Sequence, residues 1–322
     1  MSNSWLVMEG TDCAGLAASE EWYSLVLAAH LSLTSEAARM IAESLEPTVH
    51  VSSASSLFVF FALAFALMWI CFFTVAFVPI PTGSPLGGAL ILLGAFAPAL
   101  AALAVTFRAE GRSGVIALLS RITRWSIAAK YYVFALGFMI ALKLTAAVIY
   151  RASTRSWPRF DTSQWYLIPF AIAFSTPFQA GEEIGWRGYA LPRLADRFGL
   201  GRASVLLGFI WGVWHLPQFF IRDGDSYRQA FPVFVLQVTA MSVAFAWLYA
   251  RGSLLLTMLL HAAINNSKDI VPSGVLDGTD TFGFHASRIS WISLALLCAS
   301  AAYFLNDMRK QTLGNTTNAI GT

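Results

Sequence analysis

Charge is scarce in this sequence. Only 12% of its 322 residues are Asp, Glu, Lys or Arg, against about 25% in an ordinary soluble domain, and the shortage excludes a globule with a solvated charged surface. Cysteine is also sparse: Cys13, Cys71 and Cys298 show neither a metal-ligand nor a disulfide-framework spacing, which leaves them as packing residues. The chain does not open on a basic segment followed by a short apolar core. No cleaved leader is expected, and targeting falls to the first membrane span. The net charge is only +3, with the basic residues scattered through loops, which argues against a nucleic-acid partner. No internal repeat or low-complexity tract stands out.

What abounds is apolar sequence. Hydrophobic residues make up 57% of the chain and fall in runs long enough to cross about 30 Å of hydrocarbon, separated by short polar breaks. Only helices satisfy their own backbone polar groups in lipid. The reading is therefore an all-α, polytopic membrane helix bundle of about eight transmembrane helices, at 57–79, 86–107, 131–150, 164–188, 203–221, 230–250, 253–271 and 289–306. Residues 1–55 form an N-terminal extension of unassigned role, 56–308 a membrane-embedded domain, and 309–322 a polar, frayed tail. Placing both termini in the cytoplasm puts the basic residues from Arg108 to Lys130, from Arg193 to Arg202, and Arg251, Arg309 and Lys310 inside. Fewer lie outside (Arg151, Arg155, Arg159, Arg222, Arg228, Lys268, Arg288), so the positive-inside rule favours this orientation, in the plasma membrane.

Ionisable side chains within membrane spans mark a site or a buried pair. Three stretches hold them. In "GEEIGWR", Glu183 and Arg187 are four apart on one helical face, acid before base. Glu182 points about 100° away from Glu183, which leaves Arg187 to neutralise Glu183 while Glu182 faces a cavity. Gly181, Gly185 and Gly188 form a small-residue stripe for a close helix neighbour. In "FIWGVWHLPQFF", Trp211 lies one turn before His215, and Pro217 bends the chain just after the histidine. In "LLLTMLLHAAINNSKDI", His261 and Asn265 share one face. Each stretch alone has a plainer reading: an ion pair at a helix end, a histidine at the interface, or interhelical hydrogen bonding. His30 and His50 fall in the extension and His285 in a loop, where solvated roles are expected; Lys143, inside the third span, is unassigned.

Together the three stretches supply a carboxylate, two imidazoles and a carboxamide on different helices, the parts of a hydrolytic site. With "EEIGWR" at 182–187, "WGVWH" at 211–215 and "HAAIN" at 261–265 in this order, the sequence resembles the CAAX prenyl protease and bacteriocin-processing (Abi) family, which includes the type II CAAX endopeptidases. One departure is Trp211, where the family commonly has Phe. The resemblance implies an intramembrane endopeptidase. In it Glu182 activates water with help from His215, His261 and Asn265 stabilise the oxyanion, and Glu183 and Arg187 hold the helix. The implied substrate is a membrane-associated peptide or protein, cleaved after a prenylated cysteine as in eukaryotic relatives or processed as in bacterial self-immunity. The residue types equally permit a catalytic zinc held by Glu182, His215 and His261. A non-catalytic alternative is a proton-coupled transporter or an immunity scaffold that binds a peptide.

Overall fold

Prolines and glycines decide where the apolar runs of this chain bend. The structure is a computed structural model and describes residues 54–160, 165–222, 224–227, 229–267, 270 and 280–320. The expected extension before residue 54, with His30, His50 and Cys13, lies outside the described residues. The elements are α1 (Ala54–Phe77), α2 (Pro85–Ala95), α3 (Ala97–Ser120), α4 (Ala129–Thr154), α5 (Ile168–Ser175), α6 (Ala180–Glu183), α7 (Leu191–Phe198), α8 (Leu200–Trp214), α9 (Phe231–Arg251), α10 (Leu254–Ser267) and α11 (Arg288–Ile320). Among the described residues there is no strand, as an all-helical membrane bundle requires.

In their described residues the eight apolar segments are largely helical, but they are not eight uninterrupted spans. Among the described residues five helices are long and apolar enough to cross a membrane, covering Ser55–Phe77, Ala129–Thr154, Leu200–Phe220, Phe231–Arg251 and Arg288–Gln311. A sixth is the pair α2 and α3, bent by 52°. The bend falls at Phe96, just before Pro98, which has no N–H to give and crowds the carbonyl four residues back. The segment expected at 164–188 is broken at Pro169 and Pro177 into α5, a 3₁₀ turn at Thr176–Gln179, α6 and a π-helical stretch at Ile184–Ala190. The segment expected at 253–271 contributes the 14-residue α10. At the other end of the chain, α11 runs on to Ile320. The polar tail expected to fray continues the helix, because no proline intervenes and each added residue gains a backbone bond once a helix is nucleated.

Close packing against its neighbours fixes the broken segment. A methyl group added at Gly181 would stand 2.8 Å from the Phe96 ring, and one at Gly185 would stand 2.5 Å from the Pro98 carbonyl oxygen, so the α2–α3 bend sits against the glycine stripe with no room for a side chain. On the other side α1 is laced to α8: Trp69 donates its indole N–H to the Trp214 carbonyl at 3.0 Å, and Trp214 donates to the Ala64 carbonyl at 3.0 Å. Lys143 is buried in α4, on the face with Met139, Leu142, Ala146 and Ala147.

Basic residues gather where helices end. Arg121 donates to the Gly188 carbonyl at 2.7 Å, Arg193 pairs with Glu110 at 3.0 Å, and Arg251 pairs with Asp307.

Candidate active site

The broken segment gives the two adjacent carboxylates different neighbours. After Glu183 the chain widens from α6 into the π-helical stretch, where the Leu191 N–H bonds the Trp186 carbonyl five residues back. Such turns recur at functional sites because they redirect side chains without ending the helix. Arg121 takes up the Gly188 carbonyl of this stretch.

Glu183 faces inward and is fully buried. Its Oε1 accepts from Arg187 Nη1 at 2.8 Å, the pairing read from the four-residue spacing, and lies 2.8 Å from His261 Nδ1 on α10. The Arg187 guanidinium is also fully buried and sits in the corner formed by two rings that meet edge to face, 4.1 Å from the centre of the Trp211 ring and 4.0 Å from that of the Phe245 ring. A guanidinium is weakly hydrated and planar, so two rings replace water around it better than they could around an ammonium. Sequence reasoning missed Phe245 on α9 and the Glu183–His261 contact; α9 carries several phenylalanines in a mostly apolar run, and nothing singles out that one.

Glu182 turns to α8 instead. Its Oε2 accepts the Trp211 indole N–H at 2.7 Å and lies 4.0 Å from His215 Nε2. Both side chains keep a little exposure, 15% for Glu182 and 10% for His215, whereas Glu183 has none, which leaves Glu182 as the carboxylate a reactant could reach. His215 caps the C-terminus of α8 and is followed by a 3₁₀ turn, Leu216–Phe220, with Pro217 at its start. The turn lets the ring fold back so that Nδ1 lies 2.7 Å from the Trp211 carbonyl.

Those partners fix the tautomers. A carbonyl can only accept, so His215 Nδ1 carries a proton, and in the neutral ring Nε2 is the lone pair that faces Glu182. His261 Nδ1 likewise donates to the Glu183 carboxylate, which leaves its Nε2 for other use. Asn265, one turn beyond His261, is exposed, while Asn266 donates to Ser175 Oγ at 2.9 Å and ties α10 to α5. The structure thus brings together Glu182, Trp211 and His215 in one group and Glu183, Arg187 and His261 in a second. The Trp211 ring joins the two groups.

A zinc ion does not fit this arrangement. Donors on a tetrahedral zinc lie roughly 3.3 Å apart, given metal–ligand distances of about 2.0–2.1 Å, whereas His215 Nε2 and Glu182 Oε2 are 4.0 Å apart and that oxygen already takes an indole N–H. Among the described residues no group of three or more His, Cys, Asp or Glu side chains converges on one point.

Residues 162–267 match a family model described as type II CAAX prenyl endopeptidase Rce1-like, a stretch that contains all three motifs. The chain is also 34% identical over 98 residues to a CAAX prenyl protease 2 from Methanococcus maripaludis. That alignment takes in 28% of this chain and 36% of the relative, so it spans about a third of the relative's length.

Proposed function

We propose that the chain, which matches an Rce1-like type II CAAX prenyl endopeptidase model over residues 162–267 and resembles a CAAX prenyl protease 2, is an intramembrane endopeptidase of that family in which Glu182 and His215 activate a water molecule. The observation that carries this reading is the 4.0 Å gap between His215 Nε2 and Glu182 Oε2. It is too long for a hydrogen bond and fits one bridging water that donates to both acceptors. Such a water keeps its lone pairs free for attack.

In the proposed reaction the water oxygen bonds to the scissile carbonyl carbon while one of its protons passes to Glu182. The tetrahedral oxyanion takes hydrogen bonds from Asn265 Nδ2 and from His261 Nε2. The latter donates only as the imidazolium, because Nδ1 is committed to Glu183. Collapse breaks the C–N bond, and Glu182 returns its proton to the leaving amine. Glu183 and Arg187 take no part in the transfers; they hold α6 against α9 and α10. A metal-free, glutamate-based scheme is preferred to zinc on the donor geometry. The substrate class is a membrane-associated peptide or protein, prenylated in the manner the family name implies. The clustering of Arg121, Arg193 and Arg251 near helix ends supports an orientation with both termini in the cytoplasm.

The test is cleavage of a quenched, membrane-proximal peptide, with and without a prenylated cysteine, by the purified full chain. Glu182→Gln is expected to lower kcat by about 10²- to 10⁴-fold, the usual contribution of a positioned base, without moving the melting midpoint. Wild-type turnover by Glu182→Gln would remove the catalytic assignment of that residue, and no cleavage by the wild-type chain would leave a transporter or peptide-binding scaffold as the better reading.

A further inference from the structure

We propose that Trp211 is the positioning residue of the site, a role that rests on the reading of Glu182 as the water-activating base. Trp211 holds both sides of the gap in which the water would sit. Its indole N–H fixes Glu182 Oε2 at 2.7 Å, and its main-chain carbonyl fixes His215 Nδ1 at 2.7 Å. The 4.0 Å separation of the two acceptors is therefore set within one residue of α8, and a shift of that residue moves both together.

The donor is itself immobile. The ring is 1% exposed, carries the Arg187 guanidinium on one face at 4.1 Å, and meets the rings of Phe245 and His261 edge to face at 5.4 Å each. An indole so clamped keeps its N–H aimed at one point. A carboxylate held by a charge-assisted hydrogen bond loses a rotation that it would otherwise have to surrender in the transition state.

Phenylalanine at this position would retain the main-chain carbonyl and most of the stacking surface but would have no N–H. The carbonyl half of the arrangement survives any substitution, so the indole N–H is the part that can be tested. Two replacements separate the N–H from the bulk of the ring: Trp211→Phe, and site-specific incorporation of benzothienylalanine, which keeps the bicyclic shape and puts sulfur in place of N–H.

In the peptide-cleavage assay both variants are expected to lose kcat by about 10- to 100-fold, the loss that goes with one charge-assisted hydrogen bond of ordinary strength, with KM within about twofold of wild type. Wild-type kcat in the benzothienylalanine protein would overturn the proposal even if Trp211→Phe were slow or poorly folded, since ring volume would then be the cause. A rise in KM at constant kcat would also overturn it, by making Trp211 a substrate contact. Cleavage by Glu182→Gln at the wild-type rate would instead sink the underlying assignment. A substrate-free readout is the indole N–H resonance that disappears in Trp211→Phe. It is expected to shift upfield in Glu182→Leu, and an unmoved resonance would mean that the bond does not form.

Discussion

Removing Arg187 should cost the protein its stability before it costs any chemistry. Glu183 and Arg187 are fully buried, and Glu183 Oε1 has two partners, Arg187 Nη1 and His261 Nδ1, each at 2.8 Å. Arg187→Met leaves a carboxylate in a dry interior with the imidazole alone, and breaking one side of a buried pair costs about 3–5 kcal/mol. The guanidinium also fills the corner where Trp211 and Phe245 meet, so methionine loses two cation–π contacts besides the charge. At about 2–4 °C per kcal/mol for a domain of this size class, the apparent melting midpoint in detergent should fall by roughly 6–20 °C. Arg187→Lys should recover little, because an ammonium neither lies flat on a ring nor spreads its charge. The double variant Arg187→Met with Glu183→Gln should regain part of the loss by removing the stranded charge. A melting midpoint for Arg187→Met within about 2 °C of wild type would refute the claim that this pair is a desolvated strut.

Further expectations concern packing, metal and a partly buried pair. Gly185→Ala would put a methyl 2.5 Å from the Pro98 carbonyl oxygen, where backbone must give way; overpacking of this kind costs about 1–3 kcal/mol and should lower the melting midpoint together with activity. Cleavage should survive dialysis against EDTA and 1,10-phenanthroline, with no stoichiometric zinc by elemental analysis, because the Glu182–His215 spacing does not suit a tetrahedral ion. Chelator-sensitive turnover restored by zinc would reverse the mechanism. Arg251→Gln breaks the pair with Asp307, whose side chain is 34% exposed, and should change stability by no more than about 1 kcal/mol, read as a small shift in the same melting experiment.

The parts of the site that sequence spacing made legible are those fixed by helical periodicity. The Glu183–Arg187 pair follows from four residues of spacing, and it survives the passage into the π-helical stretch at 2.8 Å. The divergence of Glu182 from Glu183 follows from the same period, and in the structure they face α8 and α10 respectively. The breaks also had their residues on the page: Pro98 at the α2–α3 bend, and Pro169 and Pro177 in the segmented fourth span. Reading that span as continuous underweighted the prolines, because membrane helices tolerate them and an apolar run long enough to cross outweighs a single break in a hydropathy reading.

What spacing could not give are the contacts between helices. His261 was legible as a polar residue on α10 and its partner was not, since the choice among Glu182, Glu183 and a ligand depends on where α10 crosses α6. Asn265 and Asn266 are neighbours in sequence, yet the latter bonds α5 while the former is exposed. Trp211 was legible only as a large aromatic beside a histidine. Its N–H, the feature that distinguishes it from phenylalanine, becomes informative once Glu182 Oε2 is found 2.7 Å away.

The pair of carboxylates that looks redundant in sequence is therefore two solutions to two problems. A carboxylate that accepts a proton must keep some contact with water and must not be locked to a cation, since a fixed guanidinium would hold its charge and dull it as a base. A carboxylate that braces a helix inside a membrane needs the opposite, full burial with a permanent counter-charge. One residue could not meet both requirements. Adjacent positions on a helix, about 100° apart, let one segment meet both at once, and Trp211 bridges them by giving its N–H to the first acid and its ring face to the arginine that neutralises the second.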